Sequence, residues 1–368
     1  MNAEKKIGVI GIGKLGLCFA LNAERSGYFV TGVDVSEDYV LSINQKAFRS
    51  PEPLVNEYLQ EAKNFFASTD LSTALGTDLI FVFVATPALP DGSYNHEQIE
   101  RIAEQLLSLP KPTSTKHLVI GCTTMPGYCN TLAAKLNPHN YTVSYNPEFI
   151  AQGSIIRNQQ NPDVILIGEE NESVGNAIEE LHLSFCQSTP TVHRMDRLSA
   201  EIAKLATNCF LTTKISFANS IGDLAIKAGA DVTKVLQAVG ADSRIGNKYL
   251  NYGDGFGGPC FPRDNRALQK FADTVQQPLP LASATDKVNE QHLHFQIQTL
   301  LKAHKPDECI EIDGVAYKAG TVFIDESQRL KIALLLAQQN RKVMITDRAE
   351  VIAQVQSIYG NLFEYRVK

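Results

Sequence analysis

A glycine pattern near the amino terminus is the feature that most constrains the fold of this chain. Gly11, Gly13 and Gly16 follow the apolar run KIGVI and open a helical pattern. Two such glycines permit a tight turn and the close approach of a pyrophosphate, and the third lets the helix pack on the sheet. A second apolar run ends at Asp34, at the spacing typical of a dinucleotide fold. The pattern therefore predicts a nucleotide-binding α/β domain.

The carboxylate of Asp34 predicts which dinucleotide binds. It would accept hydrogen bonds from the ribose hydroxyls and repel a 2′-phosphate, which favours NAD over NADP. The helix after the glycines would offer N–H groups and the positive end of its dipole to the pyrophosphate. The alternative for Asp34 is a solvated carboxylate at the end of a strand.

The order of apolar patterns predicts the rest of the architecture. Strand-like runs alternate with helical patterns in the first half: KIGVIGIG, YFVTGVDV, DLIFVFVAT, HLVIGCTT, TVSYN and VILIG. From Leu198 to Gly222 the chain has no proline or other glycine, which predicts one long helix. The alternation resumes near residue 302. We predict an α/β fold with two Rossmann-like parallel-sheet domains, 1–197 and 302–368, joined by this long helix and a helical middle domain, 198–301.

Composition excludes several classes of protein. The net charge is −6 and no basic run interleaves with aromatic residues, so we expect no nucleic-acid partner. The chain has no apolar stretch near 20 residues and no leader-like start, which predicts a cytoplasmic protein without membrane contact. Its seven cysteines are odd in number and form no CxxC pair, so we predict neither a disulfide framework nor a metal site.

Cys260 stands in an unusual setting, since three glycines in four positions precede it and Pro262, Arg263 and Asp264 follow it. If Pro262 lies in the first turn of a helix, the helix dipole and Arg263 both favour the thiolate. Asp264 is four residues on, hence on the same helical face. It would act as a base through a water, or cap and position the loop. The alternative for Cys260 is a small apolar residue in a tight turn.

These motifs together resemble those of the UDP-glucose/GDP-mannose dehydrogenase family over nearly the whole chain. The resemblance is carried by GIGKLG, VATPALPDGSYN, CTTMPG, YNPEFIAQG, NPDVILIG, EIAKLATNCFLTTKISFANSI, DSRIGNKYL, GFGGPCFPRDNRAL and GVAYKAGT. It implies an enzyme that oxidises the C6 alcohol of a nucleotide sugar to a carboxylate with two NAD, through a covalent cysteine intermediate. It also implies a homodimer built on the long helix. PEF and CFPRD are closer to the UDP-glucose branch, so UDP-glucose is the expected substrate.

The resemblance also implies roles for individual residues. Cys260 would be the nucleophile, and Lys204 and Asn208, one turn apart on the long helix, would stabilise an oxyanion. Thr123 and Glu148 would hold the hydrolytic water and support acid–base steps. The alternatives are an exposed polar stripe for Lys204 and Asn208, a strand-end hydroxyl for Thr123 and a helix-start carboxylate for Glu148.

The remaining implied residues contact the cofactor or the substrate. Thr86 and Arg263 would lie beside the cofactor. Tyr249, Gly257 and Lys318 would contact the substrate nucleotide, with Lys318 at the diphosphate. Arg244 would cross the dimer interface toward the sugar, as suits a forked guanidinium that stays charged.

The chain departs from the family pattern at three positions. Ala151 and Gln152 stand where the family often has arginine and glutamate, so the second carboxylate is missing. Asp325 stands in place of an arginine, which reverses a charge. The chain also ends early for this family, which predicts a shortened nucleotide domain.

Three alternatives stay open from the sequence. The first is the same reaction on GDP-mannose or another nucleotide sugar. The second is a β-hydroxyacid dehydrogenase, which has no need of Cys260 and forms one NADH per substrate. The third is a nucleotide-sugar binding protein that has lost catalysis, as the residues at 151, 152 and 325 would suggest.

Overall fold

The computed structural model of the protein describes residues 5–150 and 153–368. The described residues up to Lys204 form a first unit, and residues 205–368 form a second. Ala151 and Gln152, two of the departures from the family pattern, lie outside the described residues. Each unit contains a sheet of wholly or mainly parallel strands with helices packed on it, so the predicted α/β fold is confirmed.

The first unit is built on an eight-stranded sheet with the order β3-β2-β1-β4-β5-β6-β7-β8. The strands are β1 Lys6–Ile10, β2 Phe29–Val33, β3 Phe65–Ser68, β4 Leu79–Val82, β5 Lys116–Ile120, β6 Tyr141–Tyr145, β7 Val164–Gly168 and β8 Thr191–Met195. Strands β1 to β6 are parallel and follow the Rossmann order, as predicted. β7 pairs antiparallel with β6, and β8 runs parallel to β7. The sequence patterns had not indicated β3 or β8.

Helices cover both faces of this sheet. They are α1 Lys14–Arg25, α2 Glu37–Asn44, α3 Val55–Glu61, α4 Glu97–Ser108, α5 Tyr128–Leu136, α6 Ile155–Gln160 and α7 Glu172–Phe185, with 3₁₀ turns at Leu71–Gly76 and Asn137–His139. Alternate residues of β5 enter different cores, Val119 on one face and Leu118 and Ile120 on the other. Because both faces are buried, the strands read as continuous apolar runs in the sequence.

The predicted long helix is confirmed as α8, which runs from Arg197 to Ala228. The other helices of the second unit are α9 Val232–Gly240, α10 Phe261–Thr274, α11 Pro280–Ala303, α12 Gln328–Gln338 and α13 Ala349–Tyr359. Its sheet has the order β11-β10-β9, with β9 Ile310–Asp313, β10 Val343–Asp347 and β11 Glu364–Val367 all parallel. Within the two described stretches, no helix combines the length and the apolar character needed to cross a bilayer.

Candidate active site

A cavity of about 730 Å³ opens at the carboxyl ends of β1, β2 and β4. Parallel sheets of this kind bind ligands at that edge, where the strand order reverses. The cavity is lined by three residues of the sequence prediction, Gly11, Gly13 and Asp34. Three of the predicted cofactor residues therefore line one cavity of the first unit, while Gly16, Thr86 and Arg263 do not line it.

The three glycines have three different roles in this turn. At Gly11, where φ is +83°, a side chain would overlap with the carbonyl of Phe83. At Gly16 a side chain would overlap with the carbonyl of Gly11, so this glycine lets α1 pack closely. Gly13, the N-cap of α1, has open space where a side chain would stand. No side chain of the described residues caps α1, so its amino end suits a pyrophosphate.

Asp34 follows β2 and lies at the cavity edge. Its Oδ1 accepts from the backbone N–H of Ser36 at 3.3 Å, which leaves its other oxygen for a ribose hydroxyl. Sequence analysis missed other lining residues, which come from the loop after β3 and from one face of α4: Thr69, Asp70, Leu71, Ser72, Gln98, Arg101, Ile102 and Gln105. The i, i+3, i+4, i+7 spacing from Gln98 to Gln105 was the available signal.

Thr86 and Thr123 are joined directly. The hydroxyl of Thr86, itself 8% exposed, donates to the backbone carbonyl of Thr123 at 2.8 Å. Thr86 follows β4 and Thr123 follows β5, so neighbouring parallel strands bring the two loops together. The structure thus links a predicted cofactor residue to a predicted catalytic one.

Lys204 and Glu148 are also in contact. The Nζ of Lys204 donates to the backbone carbonyl of Glu148 at 2.7 Å and lies 4.2 Å from the ring centroid of Phe149. Lys204 is 6% exposed and Asn208 is 7% exposed, so the alternative of an exposed polar stripe is wrong. Buried polar groups at these positions suit donors to a charged substrate oxygen.

Glu148 occupies a loop after β6, so its reading as a helix-start carboxylate is wrong. Burial raises the pKa of Glu148 to about 7, while the hydrogen bond from Gln159 and the charge of Lys204 act in the opposite direction. The Nε2 of Gln159 donates to the Oε1 of Glu148 at 3.4 Å. A carboxyl group with this pKa can exchange a proton near neutral pH.

In the second unit, Cys260 is the N-cap of α10, and Pro262 lies in the first helical turn. All seven cysteines lie in the described part of the chain, and Cys260 alone among them is exposed. Burial raises the pKa of the other six thiols: Cys18, Cys122, Cys129, Cys186, Cys209 and Cys309. The position of Cys260 at the positive end of a helix dipole favours its thiolate.

Asp264 lies one turn into α10 and is 2% exposed. Its Oδ2 accepts a hydrogen bond from the side-chain amide of Asn208, which is also buried. The thiol of Cys209 donates to the backbone carbonyl of Asp264 at 3.7 Å. The structure therefore pairs two residues that the sequence analysis placed in the same chemistry.

The glycine-rich segment before Cys260 is held by polar side chains of other elements. Asn289 accepts from the N–H of Phe256 at 2.8 Å and donates to its carbonyl at 3.0 Å. A side chain at Gly257 would overlap with the carbonyl of Glu326. The N–H of Gly258 donates to the carbonyl of Asp325 at 3.1 Å. The side chain of Asp325 is exposed, so the position where the family pattern has an arginine carries a carboxylate and no cation.

The remaining predicted residues lie nearer the surface of the second unit. The Nε of Arg263 donates to the carbonyl of Pro259. Tyr249 has a φ of +63° and is 45% exposed, with its ring 6.1 Å from that of Phe261.

The last two predicted residues are both cations. Lys318 is exposed. Arg244 is exposed too, and its guanidinium pairs with Asp242 at 2.6 Å. Neither side chain is buried, so both can reach an anionic ligand.

The chain matches a known family in two regions. The NAD binding domain of the UDP-glucose/GDP-mannose dehydrogenase family matches residues 5–186, and the central domain of that family matches residues 198–291. A UDP-glucose 6-dehydrogenase of Bacillus subtilis is 31% identical, over 98% of this chain and 79% of the relative. One from Rickettsia felis is 29% identical, over 92% of this chain and 77% of the relative.

A solved structure is similar along the whole chain. The UDP-glucose dehydrogenase from the archaeon Pyrobaculum islandicum has a TM-score of 0.90 and 28% identity, and the match covers 100% of this chain and 87% of that one. The match of the amino-terminal domain identifies NAD as the cofactor, as predicted.

Proposed function

This chain belongs to the UDP-glucose/GDP-mannose dehydrogenase family and is an NAD-dependent oxidoreductase, and from that premise we propose that it oxidises the C6 alcohol of UDP-glucose to the carboxylate of UDP-glucuronate. The choice of UDP-glucose is supported by the relatives named UDP-glucose 6-dehydrogenase, which are about 30% identical to this chain. One substrate, one water and two NAD give one carboxylate, two NADH and three protons.

The exposure of Cys260 at the amino end of α10 is the observation that carries this proposal. A base takes the proton of the C6 hydroxyl while a hydride leaves C6, which gives an aldehyde. The thiolate of Cys260 adds to the aldehyde carbon and forms the alkoxide of a thiohemiacetal. Loss of the second hydride from that carbon turns the alkoxide into the carbonyl of a thioester, and water then releases the carboxylate and the thiolate. The covalent bond keeps the half-oxidised sugar from leaving.

Three buried polar residues are proposed to manage charge during these steps. Lys204 and Asn208 donate hydrogen bonds to the substrate oxygen as its negative charge develops, an effect of about 3 kcal/mol for each donor. Asp264, held by Asn208, accepts the proton of the alcohol through a water.

Hydrolysis of the thioester is assigned to the loops after β5 and β6. Thr123 orients the attacking water, with its backbone held by the hydroxyl of Thr86. Glu148, whose pKa is raised to about 7 by burial, takes a proton from that water.

The cofactor and substrate are assigned to separate sets of residues. Gly11, Gly13, Gly16 and Asp34 hold NAD, with Thr86 and Arg263 beside it; when bound, NAD supplies the hydride acceptor. Tyr249, Gly257, Lys318 and Arg244 are proposed to contact the nucleotide sugar, with the exposed Lys318 at the diphosphate and the exposed Arg244 reaching the sugar across the dimer interface.

We also propose that the protein is a homodimer that associates through α8. Phe210, Phe217 and Leu224 are 64%, 48% and 64% exposed and recur every seven residues, so they form one apolar face. Light scattering should report a dimer for the native protein and a monomer for Phe217→Asp. A dimer that is unaffected by this substitution would contradict an interface on α8.

Counting NADH tests the proposed reaction. Each UDP-glucose should give two NADH, while GDP-mannose should give none. Cys260→Ser should abolish turnover, and Cys309→Ser, a half-buried cysteine of the same unit, should retain it. One NADH per substrate, or full activity in Cys260→Ser, would refute the cysteine mechanism. Turnover of GDP-mannose but not of UDP-glucose would refute UDP-glucose as the substrate.

A further inference from the structure

Glu201 is a fully buried carboxylate that the proposed reaction does not use. It lies on α8 and is 0% exposed. Three donors reach it from the CTTMPG turn: the hydroxyl of Thr124 at 2.8 Å, the N–H of Gly127 at 2.6 Å and the N–H of Cys129 at 2.9 Å. A charge buried this deeply is stable only when its hydrogen bonds are satisfied, as they are here.

The carboxylate of Glu201 also completes the start of α5. The N-cap of this helix is Gly127, which has no side chain to accept from the N–H groups of the first turn. Glu201 supplies that acceptor from α8, and its negative charge lies at the positive end of the α5 dipole. The turn and α8 are therefore tied together by one side chain.

Two residues of the proposed mechanism adjoin this link. Thr123 directly precedes Thr124 in the turn, and its carbonyl accepts from Thr86. Lys204 lies three residues after Glu201 on α8, and its Nζ donates to the carbonyl of Glu148. A shift of Glu201 would move the Thr123 loop relative to the helix that carries Lys204.

We propose that Glu201 is a positioning residue, which fixes the turn that carries Thr123 against the helix that carries Lys204. The inference rests on the proposed function, since it takes Thr123 and Lys204 as catalytic groups. A misplacement of about 1 Å in a catalytic group can lower turnover roughly 100-fold, so a link of this kind matters for rate.

The chain offers a matched control in Glu24. This glutamate is 8% exposed, and its Oε1 accepts from the N–H groups of Lys63 and Asn64 at 2.8 and 2.9 Å. It lies near the end of α1 and joins no residue of the proposed mechanism. Glu24→Gln and Glu201→Gln therefore both replace a buried carboxylate by an amide, one away from the chemistry and one beside it.

Steady-state kinetics of Glu201→Gln, Glu201→Asp and Glu24→Gln test the inference. In Glu201→Gln the side-chain amide places an N–H against a backbone N–H, so kcat should fall about 10- to 100-fold with KM for UDP-glucose changed less than about 2-fold. Glu201→Asp keeps the charge and should recover several-fold of the lost kcat. Glu24→Gln should lower Tm less, because its amide oxygen can accept from both N–H groups, and should leave kcat unchanged.

Hydrogen exchange gives a readout that needs no substrate. The peptide of residues 121–129 should exchange faster in Glu201→Gln than in the native protein or in Glu24→Gln. Equal kcat values for the two glutamine variants, or unchanged exchange in this peptide, would overturn the inference. If Glu201→Gln does not fold, Glu201→Asp is compared with Glu24→Gln by the same two criteria. Failure of the native protein to oxidise UDP-glucose would instead refute the proposed function, with the exchange result still deciding the link.

Discussion

The side-chain amide of Asn208 donates a hydrogen bond to the carboxylate of Asp264, and both groups are buried. The bond joins α8 to the helix whose amino end carries Cys260. Because an amide can only donate through its nitrogen, this bond orients the carboxylate that we propose as the base.

Asp264→Asn should therefore lower kcat about 100-fold or more without loss of the fold. The amide carbonyl of the variant can still accept from Asn208, so this bond to α8 is kept, and a Tm measurement shows that the variant is folded. Asp273→Asn, an exposed carboxylate on the same helix, serves as the control and should keep native kcat. A native rate in Asp264→Asn would exclude Asp264 as the base.

Gly13→Ala should weaken NAD binding and leave stability intact. The glycine has a φ of −63° and open space around it, so alanine fits the fold but fills the room proposed for the pyrophosphate. Titration calorimetry should show NAD affinity at least about tenfold lower. Gly76→Ala, another glycine with open space, should bind NAD normally, whereas Gly16→Ala should lower Tm because its side chain overlaps with backbone. Unchanged affinity in Gly13→Ala would contradict the assignment of this turn.

Asp34→Asn should reduce the preference for NAD over NADP. A hydrogen bond to a charged group contributes about 1.5–3 kcal/mol, so KM for NAD should rise roughly 10- to 100-fold. Loss of the negative charge should also make NADP measurably usable. The control is Asp38→Asn, which replaces an exposed carboxylate on α2. Its KM for NAD and its preference for NAD over NADP should stay native. An unaltered cofactor preference in Asp34→Asn would show that this carboxylate does not contact the ribose.

The pH dependence of kcat should report Glu148, because the thioester hydrolysis assigned to it follows both hydride transfers. Burial raises the pKa of this group to about 7, so below that pH it is protonated and cannot act as a base. The rate constant should therefore rise about tenfold per pH unit from pH 5 toward 7 and then level off. Glu148→Gln should be slower and lose this rise. A rise centred near pH 4, or one that persists in Glu148→Gln, would assign the titration to another group.

Much of the fold follows from local patterns in the sequence. The glycine turn, six of the strands in the first sheet and α8 were all predicted, because each has a periodicity or a turn requirement of its own. The edge strands β3 and β8 were missed, since a strand at the margin of a sheet has only one neighbour and carries a weaker apolar pattern. The antiparallel pairing of β7 with β6 depends on tertiary packing, which a short stretch of sequence does not reveal.

The site was predicted in part, for a related reason. Glycine spacing and the setting of Cys260 are local signals, whereas the burial of Lys204 and Asn208 depends on which elements cover α8. The role of Glu201 as an acceptor for the start of α5 joins residues more than 70 positions apart in sequence. A glutamate in a helical pattern is ordinarily read as a solvated side chain, so nothing near it indicated this contact.

The accessibility of the cysteines has a practical consequence for chemical labelling. Four thiols are buried and two are half-buried, burial raises the pKa of all six, and the seventh, Cys260, is exposed at a helix end. A mild alkylating agent such as iodoacetamide should therefore react with a single sulfur, and incorporation of one equivalent should coincide with complete inactivation. The native chain should thus accept a spectroscopic reporter at the amino end of α10 without any engineered cysteine.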